Sequence, residues 1–180
     1  LIEDWVNSSE YHRSVVLRYF NPVGAHESGL IGESPKGVPN NLMPFISQVA
    51  QKKHNCLHIF GDDYETRDGT GERDFIHVVD LAFGHVRSIE EIDNLSRFQI
   101  LNLGTGQGTT VLELVKSFEK SNNVVLPLKI IERRPGDIAK SIADPTTASA
   151  VLDFKCKKTL EDMCGDTWNW QTKNPRGYEV

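Results

Sequence analysis

The sequence has 180 residues, of which 38% are apolar and 25% are charged, and its formal net charge is -5 at pH 7. This length is enough to bury a hydrophobic core in one domain or slightly more. A mildly acidic chain without a basic run gives no reason to expect a nucleic acid or an anionic membrane surface as partner. No apolar stretch approaches the roughly 18 residues that a membrane-spanning helix needs.

The three cysteines, Cys56, Cys156 and Cys164, are odd in number, far apart and without a CxxC spacing. This pattern argues against a disulfide framework and against a zinc site. We therefore expect three ordinary small apolar side chains, no metal, and a reducing, cytoplasmic environment.

The first third of the chain predicts a helix over 1–11 and a buried strand over 14–20. A loop rich in Gly, Pro, Ser and Asn follows over 21–39, and loops of this length inside compact domains are commonly functional. The next helix begins where Asn40 or Asn41 can cap its first turn.

The middle third predicts a short strand at 56–61, a polar loop at 62–72 and another strand at 73–80. Asp80 is expected to cap the helix that follows it, from residue 81 to about 93.

The last third begins with a strand at 98–104 and a helix that opens on a capping box, Thr110 to Glu113. It then predicts a fourth strand and two terminal helices, at 127–132, 145–152 and 159–173. Strands that alternate with helices indicate the α/β class.

The stretch NLGTGQGTT, at 102–110, places a glycine-rich turn between a strand and a helix, as in a dinucleotide-binding fold. Its glycine spacing is not GxGxxG, however, and the acidic Glu119 lies in the middle of the following helix. A tight turn between strand and helix explains the glycines equally well.

Two patterns resemble metal sites only superficially. The loop at 62–74 would put Tyr64 at the first position of a calcium loop, where an acid is required. Asp74, His77 and Asp80 recur every three residues, but on a strand His77 would face away from both acids. We therefore expect His77 to be a hydrogen-bonded histidine within the sheet.

Arginines at strand ends are the best candidates for binding. Arg73 begins one predicted strand, and Arg133 and Arg134 follow another. In an acidic protein, guanidinium groups at two strand ends suggest a bound anion, and a diphosphate would suit them. The alternative is a surface ion pair of Arg73 with Asp62 or Asp63. No set of nucleophile, base and orienting residue is recognisable, so the chain has the character of a binding lobe without a reaction centre.

Several motifs together closely resemble the UDP-glucose 4-epimerase (UDP-galactose 4-epimerase) family of extended short-chain dehydrogenase/reductases. These motifs are LRYFNPVGAH, GVPNNLMPFISQVA, IFGDDY, DGTGERDFIHVVDLAFGH, LNLGTGQGTTVLELV, ERRPGDIA and DTWNWQTKNPRGY. The resemblance covers essentially all 180 residues, in order, and matches the C-terminal portion of the family. NNLMP followed by DGTGERDFIHV favours the hexose epimerase over a related nucleotide-sugar dehydratase or glucuronate epimerase.

The resemblance implies a chain without the N-terminal Rossmann core and without the catalytic Tyr-x-x-x-Lys pair. Residues 1–25 would be a remnant of the NAD-binding domain. Residues 26–180 would form mainly the UDP-sugar-binding lobe, with some segments returning to the Rossmann sheet. Such a chain is expected to be inactive alone, to need the missing half as its partner, and to belong to a protein that is a homodimer when complete. The alternative is a non-catalytic module that binds UDP-sugars.

The family reaction implied by the resemblance interconverts UDP-galactose and UDP-glucose with bound NAD as cofactor. A hydride leaves C4 of the hexose while a tyrosinate takes the O4 proton. The 4-keto sugar rotates about its link to the diphosphate, and the hydride returns to the other face. The enzyme must therefore hold UDP firmly and the sugar loosely.

The family pattern assigns roles to particular residues. It implies that Arg73 and Arg134 clamp the diphosphate and that Asp137 accepts hydrogen bonds from the ribose. Glu72 and Asp74, beside Arg73, are then expected to be solubilising loop residues. Uracil is expected against the backbone of His58, Ile59 and Phe60, diphosphate and sugar against Asn21, Asn41 and the N–H of Leu42, and the nicotinamide end of NAD against Tyr19 and Phe20.

One position has a bearing on substrate range. Four residues after Asp137, the family places either a tyrosine or a small residue beside the 2-substituent of the hexose, and here that residue is Ser141. A small side chain leaves room for an N-acetyl group, which implies that UDP-GlcNAc and UDP-GalNAc are also substrates.

Overall fold

The computed structural model describes residues 1–37 and 39–178. Within them the chain forms helices and strands in alternation, so the predicted α/β class is confirmed. In chain order the elements are α1 (Ile2–Asn7), β1 (Ser14–Tyr19), β2 (Asn21–Val23), α2 (Leu42–Ala50), β3 (Leu57–Phe60), β4 (Glu72–Arg73), β5 (Phe75–His77), α3 (Val78–Glu90), β6 (Phe98–Leu103), β7 (Thr109–Thr110), α4 (Val111–Asn122), β8 (Leu128–Ile131), β9 (Lys140–Ser141), α5 (Thr146–Leu152) and α6 (Leu160–Lys173).

The strands pair in four small sheets. Three of them are parallel pairs, β1 with β6, β2 with β5, and β3 with β8. In the fourth sheet, β4 pairs antiparallel with β7 and parallel with β9. Because parallel neighbours end at the same edge of a sheet, residues that follow them in the chain are brought close together.

Two apolar cores hold these elements together. The first packs α2, β3, α4 and α6 around buried residues such as Ile46, Ile59 and Phe118. The second joins β6, α3 and α5 around buried residues that include Leu101 and Leu152. Burial of this apolar area is the main favourable contribution to folding, and the first core forms the floor of the site described below.

The caps of two late helices follow from the sequence. The predicted capping box of α4 is confirmed, with Thr110 Oγ1 accepting from the N–H of Glu113 and Glu113 accepting from the N–H of Thr110. A hydrogen bond from Arg67 is the largest cause that lowers the pKa of Glu113, to about 2. Helix α6 opens on a second capping box, formed by Thr159 and Asp162.

The first helix is shorter than the predicted 1–11, since α1 ends at Asn7. Side chains satisfy its last carbonyl groups in place of further helical turns. Ser8 Oγ donates to the carbonyl of Trp5 at 2.7 Å, and Arg97 donates to that of Val6 at 2.5 Å.

The predicted strand 73–80 is wrong in its second half, because α3 begins at Val78. His77, and not Asp80, is the N-cap, and its Nδ1 accepts from the N–H of Val79 at 3.0 Å. Asp80 lies buried in the first turn, where it accepts the backbone N–H groups of residues 157–158. The expected strand alternation between His77 and Asp80 therefore does not exist.

The expectation of a hydrogen-bonded His77 is confirmed. The ring is fully buried, and its Nε2 lies 3.2 Å from Asp166 Oδ2. Burial is the largest influence on this group and lowers the pKa of His77, so the ring is neutral at pH 7. Among residues 1–37 and 39–178, no group of three His, Cys, Asp or Glu side chains is placed to hold a metal ion.

The three cysteines are free thiols. Burial raises the pKa of Cys156 and of Cys164 to about 12, so both are protonated at neutral pH. They behave as the small apolar residues that the sequence predicts. In the described part of the chain, no helix is long and apolar enough to cross a bilayer.

The acids beside Arg73 are not solubilising residues, and that expectation is wrong. Glu72 is 2% exposed and Asp74 is fully buried. The carboxylate of Asp74 accepts from the backbone N–H groups of Thr105 (2.9 Å), Gly106 (2.9 Å) and Ala143 (3.2 Å) and from Thr105 Oγ1 (2.6 Å). One carboxylate thus ties together three separate segments of the chain.

We expect Asp74→Ala to lower the free energy of unfolding by about 3 kcal/mol or more, because it leaves three backbone donors near a buried site without their acceptor. Urea denaturation followed by circular dichroism measures the change. Asp93→Ala, which removes an exposed carboxylate, is the matched control and is expected to stay within about 0.5 kcal/mol. A loss below about 1 kcal/mol for Asp74→Ala would contradict the anchoring role.

Candidate functional site

One cavity of about 490 Å³ lies where strands β2, β3 and β4 meet the start of α2. Nine of the ten residues predicted to bind substrate line it, and Ser141 is the exception. The nine are Asn21, Asn41, Leu42, His58, Ile59, Phe60, Arg73, Arg134 and Asp137.

The parallel pair β3–β8 brings Phe60 and Arg134 together. Phe60 ends β3 opposite Ile131, and Arg134 follows three residues later. Its guanidinium carbon lies 4.6 Å from the centroid of the Phe60 ring, a cation–π distance. Arg134 Nε also donates to Asp137 Oδ2 at 2.9 Å, which leaves both of its Nη groups and Asp137 Oδ1 without a partner in the described residues.

Arg73 enters the cavity from the end of β4. Its Nη1 donates to the backbone carbonyl groups of Glu72 (2.9 Å) and Ala139 (3.4 Å). Within the described ranges, its Nε and Nη2 make no hydrogen bond and are free to donate to a ligand. The backbone on both sides of Arg73 is held by the buried acids.

The alternative of a surface ion pair belongs to the neighbouring arginine. Arg133 Nε lies 2.6 Å from Asp63 Oδ1, and its guanidinium carbon lies 4.0 Å from the centroid of the Tyr64 ring. This hydrogen bond lowers the pKa of Asp63 and raises that of Arg133. Arg133 is therefore occupied at the surface, while Arg73 and Arg134 line one cavity.

Amide groups also line the cavity. The first residues of the predicted loop form β2, and the N–H of Asn21 donates to the carbonyl of Asp74 at 3.0 Å. Asn41 is the N-cap residue of α2 by backbone conformation, but its side chain does not cap the helix as predicted. Its Nδ2 instead donates to Glu33 Oε1 at 3.4 Å. The N–H of Leu42, in the first turn, has no helical acceptor and is available to a ligand.

Three predicted site residues lie outside the cavity. Tyr19 ends β1, is 51% exposed, and places its ring 5.9 Å from that of His85. Phe20 follows it and precedes Asn21. Ser141 pairs with Arg73 in the β4–β9 ladder, but its side chain does not line the cavity.

The glycine-rich turn is not a cradle for phosphates. The N–H groups of Thr105 and Gly106 already donate to the Asp74 carboxylate. A Cβ at Gly108 would lie 2.5 Å from Glu72 Oε1, so this glycine allows a close approach to a buried acid. Of the two interpretations of NLGTGQGTT, the structure supports the tight turn.

Sequence reasoning missed the apolar part of the cavity. This part is formed by Phe45, Leu57, Tyr64, Phe75 and Val111, with Pro39, Asn40 and Gly71 completing the lining. The hydroxyl of Tyr64 is buried and has no hydrogen-bond partner among the described residues. Phe75 is two residues beyond Arg73, so strand periodicity was a signal that could have found it.

The lining is suited to an anion that carries an aromatic or apolar group. The lining has two guanidinium groups and a single carboxylate, and its apolar side chains offer a surface on which a ring can pack. The lining offers guanidinium, amide and backbone N–H donors, which are groups suited to binding an anion.

Comparison with known proteins gives this geometry a family. The family model described as GDP-mannose 4,6 dehydratase matches residues 2–167. The UDP-glucose 4-epimerase of Pasteurella multocida is 53% identical over 178 residues, which are 99% of this chain and 53% of the relative. The UDP-glucose 4-epimerase of Homo sapiens is 47% identical over 99% of this chain and 51% of its own length. The chain thus spans about half the length of the curated relatives it matches.

Solved structures give the same result. UDP-glucose-4-epimerase from Stenotrophomonas maltophila, with bound NAD and formylated UDP-arabinopyranose, superimposes with a TM-score of 0.94 at 49% identity, covering 97% of this chain and 52% of that one. The Bifidobacterium longum enzyme, in complex with NAD+ and UDP, gives a TM-score of 0.92 at 50% identity, covering 98% and 52%. The chain therefore belongs to the family of extended short-chain dehydrogenase/reductases. Its resemblance to UDP-glucose 4-epimerases, which the motifs led us to expect, is confirmed over nearly its whole length.

Proposed function

We propose that this chain provides the UDP-hexose-binding half of an NAD-dependent UDP-glucose 4-epimerase. The observation that carries the proposal is that Arg73 and Arg134, 61 positions apart in the sequence, line one cavity whose lining contains a single carboxylate. In this proposal residues 1–25 belong to the NAD-binding domain and residues 26–180 mainly to the UDP-sugar lobe. The chain works in the cytoplasm, where its free thiols stay reduced.

The diphosphate is bound by the free N–H groups of Arg73 and Arg134. Charge-assisted hydrogen bonds to phosphate oxygens are about twice as strong as neutral ones, and two guanidinium groups balance the two charges of a diphosphate diester. Asp137 holds Arg134 through Oδ2, and its other oxygen accepts from a ribose hydroxyl. One carboxylate thus positions the clamp and recognises the sugar of the nucleotide.

The uracil lies against the end of β3, where the backbone of His58, Ile59 and Phe60 offers peptide groups for its edge. The amides of Asn21 and Asn41 and the N–H of Leu42 face the diphosphate and the hexose. These neutral groups lie at the starts of β2 and α2. They form uncharged hydrogen bonds and no ion pair. Such bonds suit a hexose that must rotate between loss and return of the hydride.

Catalysis requires groups that these 180 residues do not supply. The sequence contains no Tyr-x-x-x-Lys, so we place the catalytic base in a further segment of the protein, which also forms most of the NAD site and the homodimer contacts. Tyr19 and Phe20 fit the nicotinamide end of NAD, because they sit at the carboxyl end of the parallel strand β1, beside Asn21 of the cavity. When bound, NAD accepts and returns the hydride of the sugar.

Fused behind the first half of the Pasteurella multocida relative, the chain is expected to bind UDP, and Arg73→Met and Arg134→Met are each expected to weaken binding about 10- to 100-fold, the loss typical of a charged hydrogen bond. Isothermal titration calorimetry measures the dissociation constants. Arg133→Met removes the same charge one position away and is the matched control, with an unchanged dissociation constant expected. An equal loss for all three variants would contradict the assignment of the clamp.

Epimerase activity tests whether the chain is half of an enzyme or an independent binding module. Alone it is expected to show no turnover of UDP-galactose. Fused behind the first half of the Pasteurella multocida relative, it is expected to give turnover that depends on Arg73. A fusion that binds both UDP and NAD but never turns over UDP-galactose would instead support the non-catalytic module.

Substrate range is expected to depend on Ser141 in the same fusion. Turnover of UDP-GalNAc is expected with serine and is expected to fall at least tenfold in Ser141→Tyr, because the larger ring fills the space for the N-acetyl group, while UDP-galactose turnover changes little. Coupled assays on both sugars measure the ratio. Absence of UDP-GalNAc turnover with serine at this position would refute the assignment.

A further inference from the structure

The segment from Gly24 to Asn41 has no helix or strand in its described residues, yet its end supplies Pro39, Asn40 and Asn41 to the cavity. A segment of this length loses conformational entropy when it is fixed, so its position must be held by contacts elsewhere. We call residues 24–41 the site loop.

The contacts that hold the site loop come from the C-terminal segment 169–178. Five side chains of this segment hydrogen-bond to backbone groups of residues 27–33, at distances of 2.8 to 3.1 Å. Bonds to backbone groups fix the path of the loop whatever its own side chains are. The motif DTWNWQTKNPRGY, which the cavity itself does not use, therefore has a structural target.

Trp170 and Tyr178 form the centre of these contacts. Tyr178 Oη accepts from the N–H of Gly32 and donates to its carbonyl, both at 3.0 Å. Trp170 is 2% exposed, its ring lies 4.7 Å from that of Tyr178, and its Nε1 donates to the carbonyl of Glu33 at 3.1 Å. A Cβ at Gly32 would lie 2.2 Å from the Trp170 indole, so only glycine permits this approach.

A short path leads from these residues to the cavity. Glu33, whose carbonyl is bonded to Trp170, accepts a hydrogen bond from Asn41 through its side chain. Trp170 also packs near Met43 and Pro44 in the first turn of α2, around a space of only about 10 Å³. The C-terminal segment therefore contacts both the site loop and the helix start that carries Leu42.

We propose that Trp170 and Tyr178 are positioning residues for ligand binding, which hold the site loop so that Asn40 and Asn41 face the nucleotide. The proposal rests on the proposed function for the identity of the ligand only. Release of the loop lowers the fraction of molecules that are competent to bind, and the apparent dissociation constant rises by the inverse of that fraction.

The test compares Tyr178→Phe and Gly32→Ala with the unaltered chain. Tyr178→Phe removes both bonds to Gly32 and keeps the ring, and Gly32→Ala forces the loop away from Trp170. Measured in the same fusion, the UDP dissociation constant is expected to rise about three- to tenfold in each, while the circular dichroism spectrum of the folded protein is retained. The exposed Tyr11→Phe undergoes the same chemical change and is the control, with no effect expected.

Hydrogen exchange provides a readout that needs no ligand. Amides of residues 27–33, above all that of Gly32, are expected to exchange faster in Tyr178→Phe, while amides of α4 keep their protection. Unchanged exchange in the site loop, or faster exchange with an unchanged UDP dissociation constant, overturns the proposal. If the unaltered fusion fails to bind UDP while loop exchange still responds, the proposed function fails and the positioning contact alone survives.

Discussion

The site depends on three consecutive residues, Glu72, Arg73 and Asp74, whose side chains point alternately to the two sides of the chain. Side chains alternate along a strand, so Glu72 and Asp74 face the interior and Arg73 faces the cavity. Glu72 is held by Arg67 at 2.6 Å and Lys140 at 3.2 Å, and Asp74 by three backbone donors and one hydroxyl. The two acids fix the backbone, and that backbone presents a single guanidinium.

This arrangement also leaves the positive charge of Arg73 available to a bound anion. An unpaired acid next to a phosphate-binding arginine would cancel part of its field and repel the ligand. Here Arg67 and Lys140 compensate the charge of Glu72, backbone N–H groups and a hydroxyl group compensate that of Asp74, and these partners lie outside the cavity lining. A buried carboxylate is costly unless its hydrogen-bonding capacity is satisfied, and the turn at 105–106 and the backbone of Ala143 provide that satisfaction for Asp74. The glycine-rich turn thus serves an acid of the protein and not a phosphate of a cofactor.

Much of this could be predicted from the sequence, and the failures have a common cause. Hydrophobic periodicity and local capping patterns identified strands β1, β3, β6 and β8 and the start of α4, because those signals act over a few neighbouring residues. The motif resemblance chose Arg134 over Arg133, which composition could not do. The buried role of Asp74 depends on Ala143 and the partner of the His77 Nε2 is Asp166, both far away in the sequence, and no local pattern reveals such partners.

The guanidinium groups and the amides of the cavity differ in how they are held. This difference matches what the proposed function, epimerisation, requires. Arg73 stands on the short strand β4, whose ladder and buried acidic neighbours leave it little freedom, and Arg134 is held by Asp137 and the Phe60 ring. Asn40 and Asn41, by contrast, belong to the site loop, whose path depends on contacts with the distant end of α6. The guanidinium groups would hold the ligand firmly at its diphosphate, and the amides would hold it lightly at its sugar. Such a ligand can keep its nucleotide in place while the hexose rotates. The physical basis of that division is that charged hydrogen bonds are stronger than neutral ones. The backbone that carries the charged groups is also held more rigidly than the loop that carries the amides.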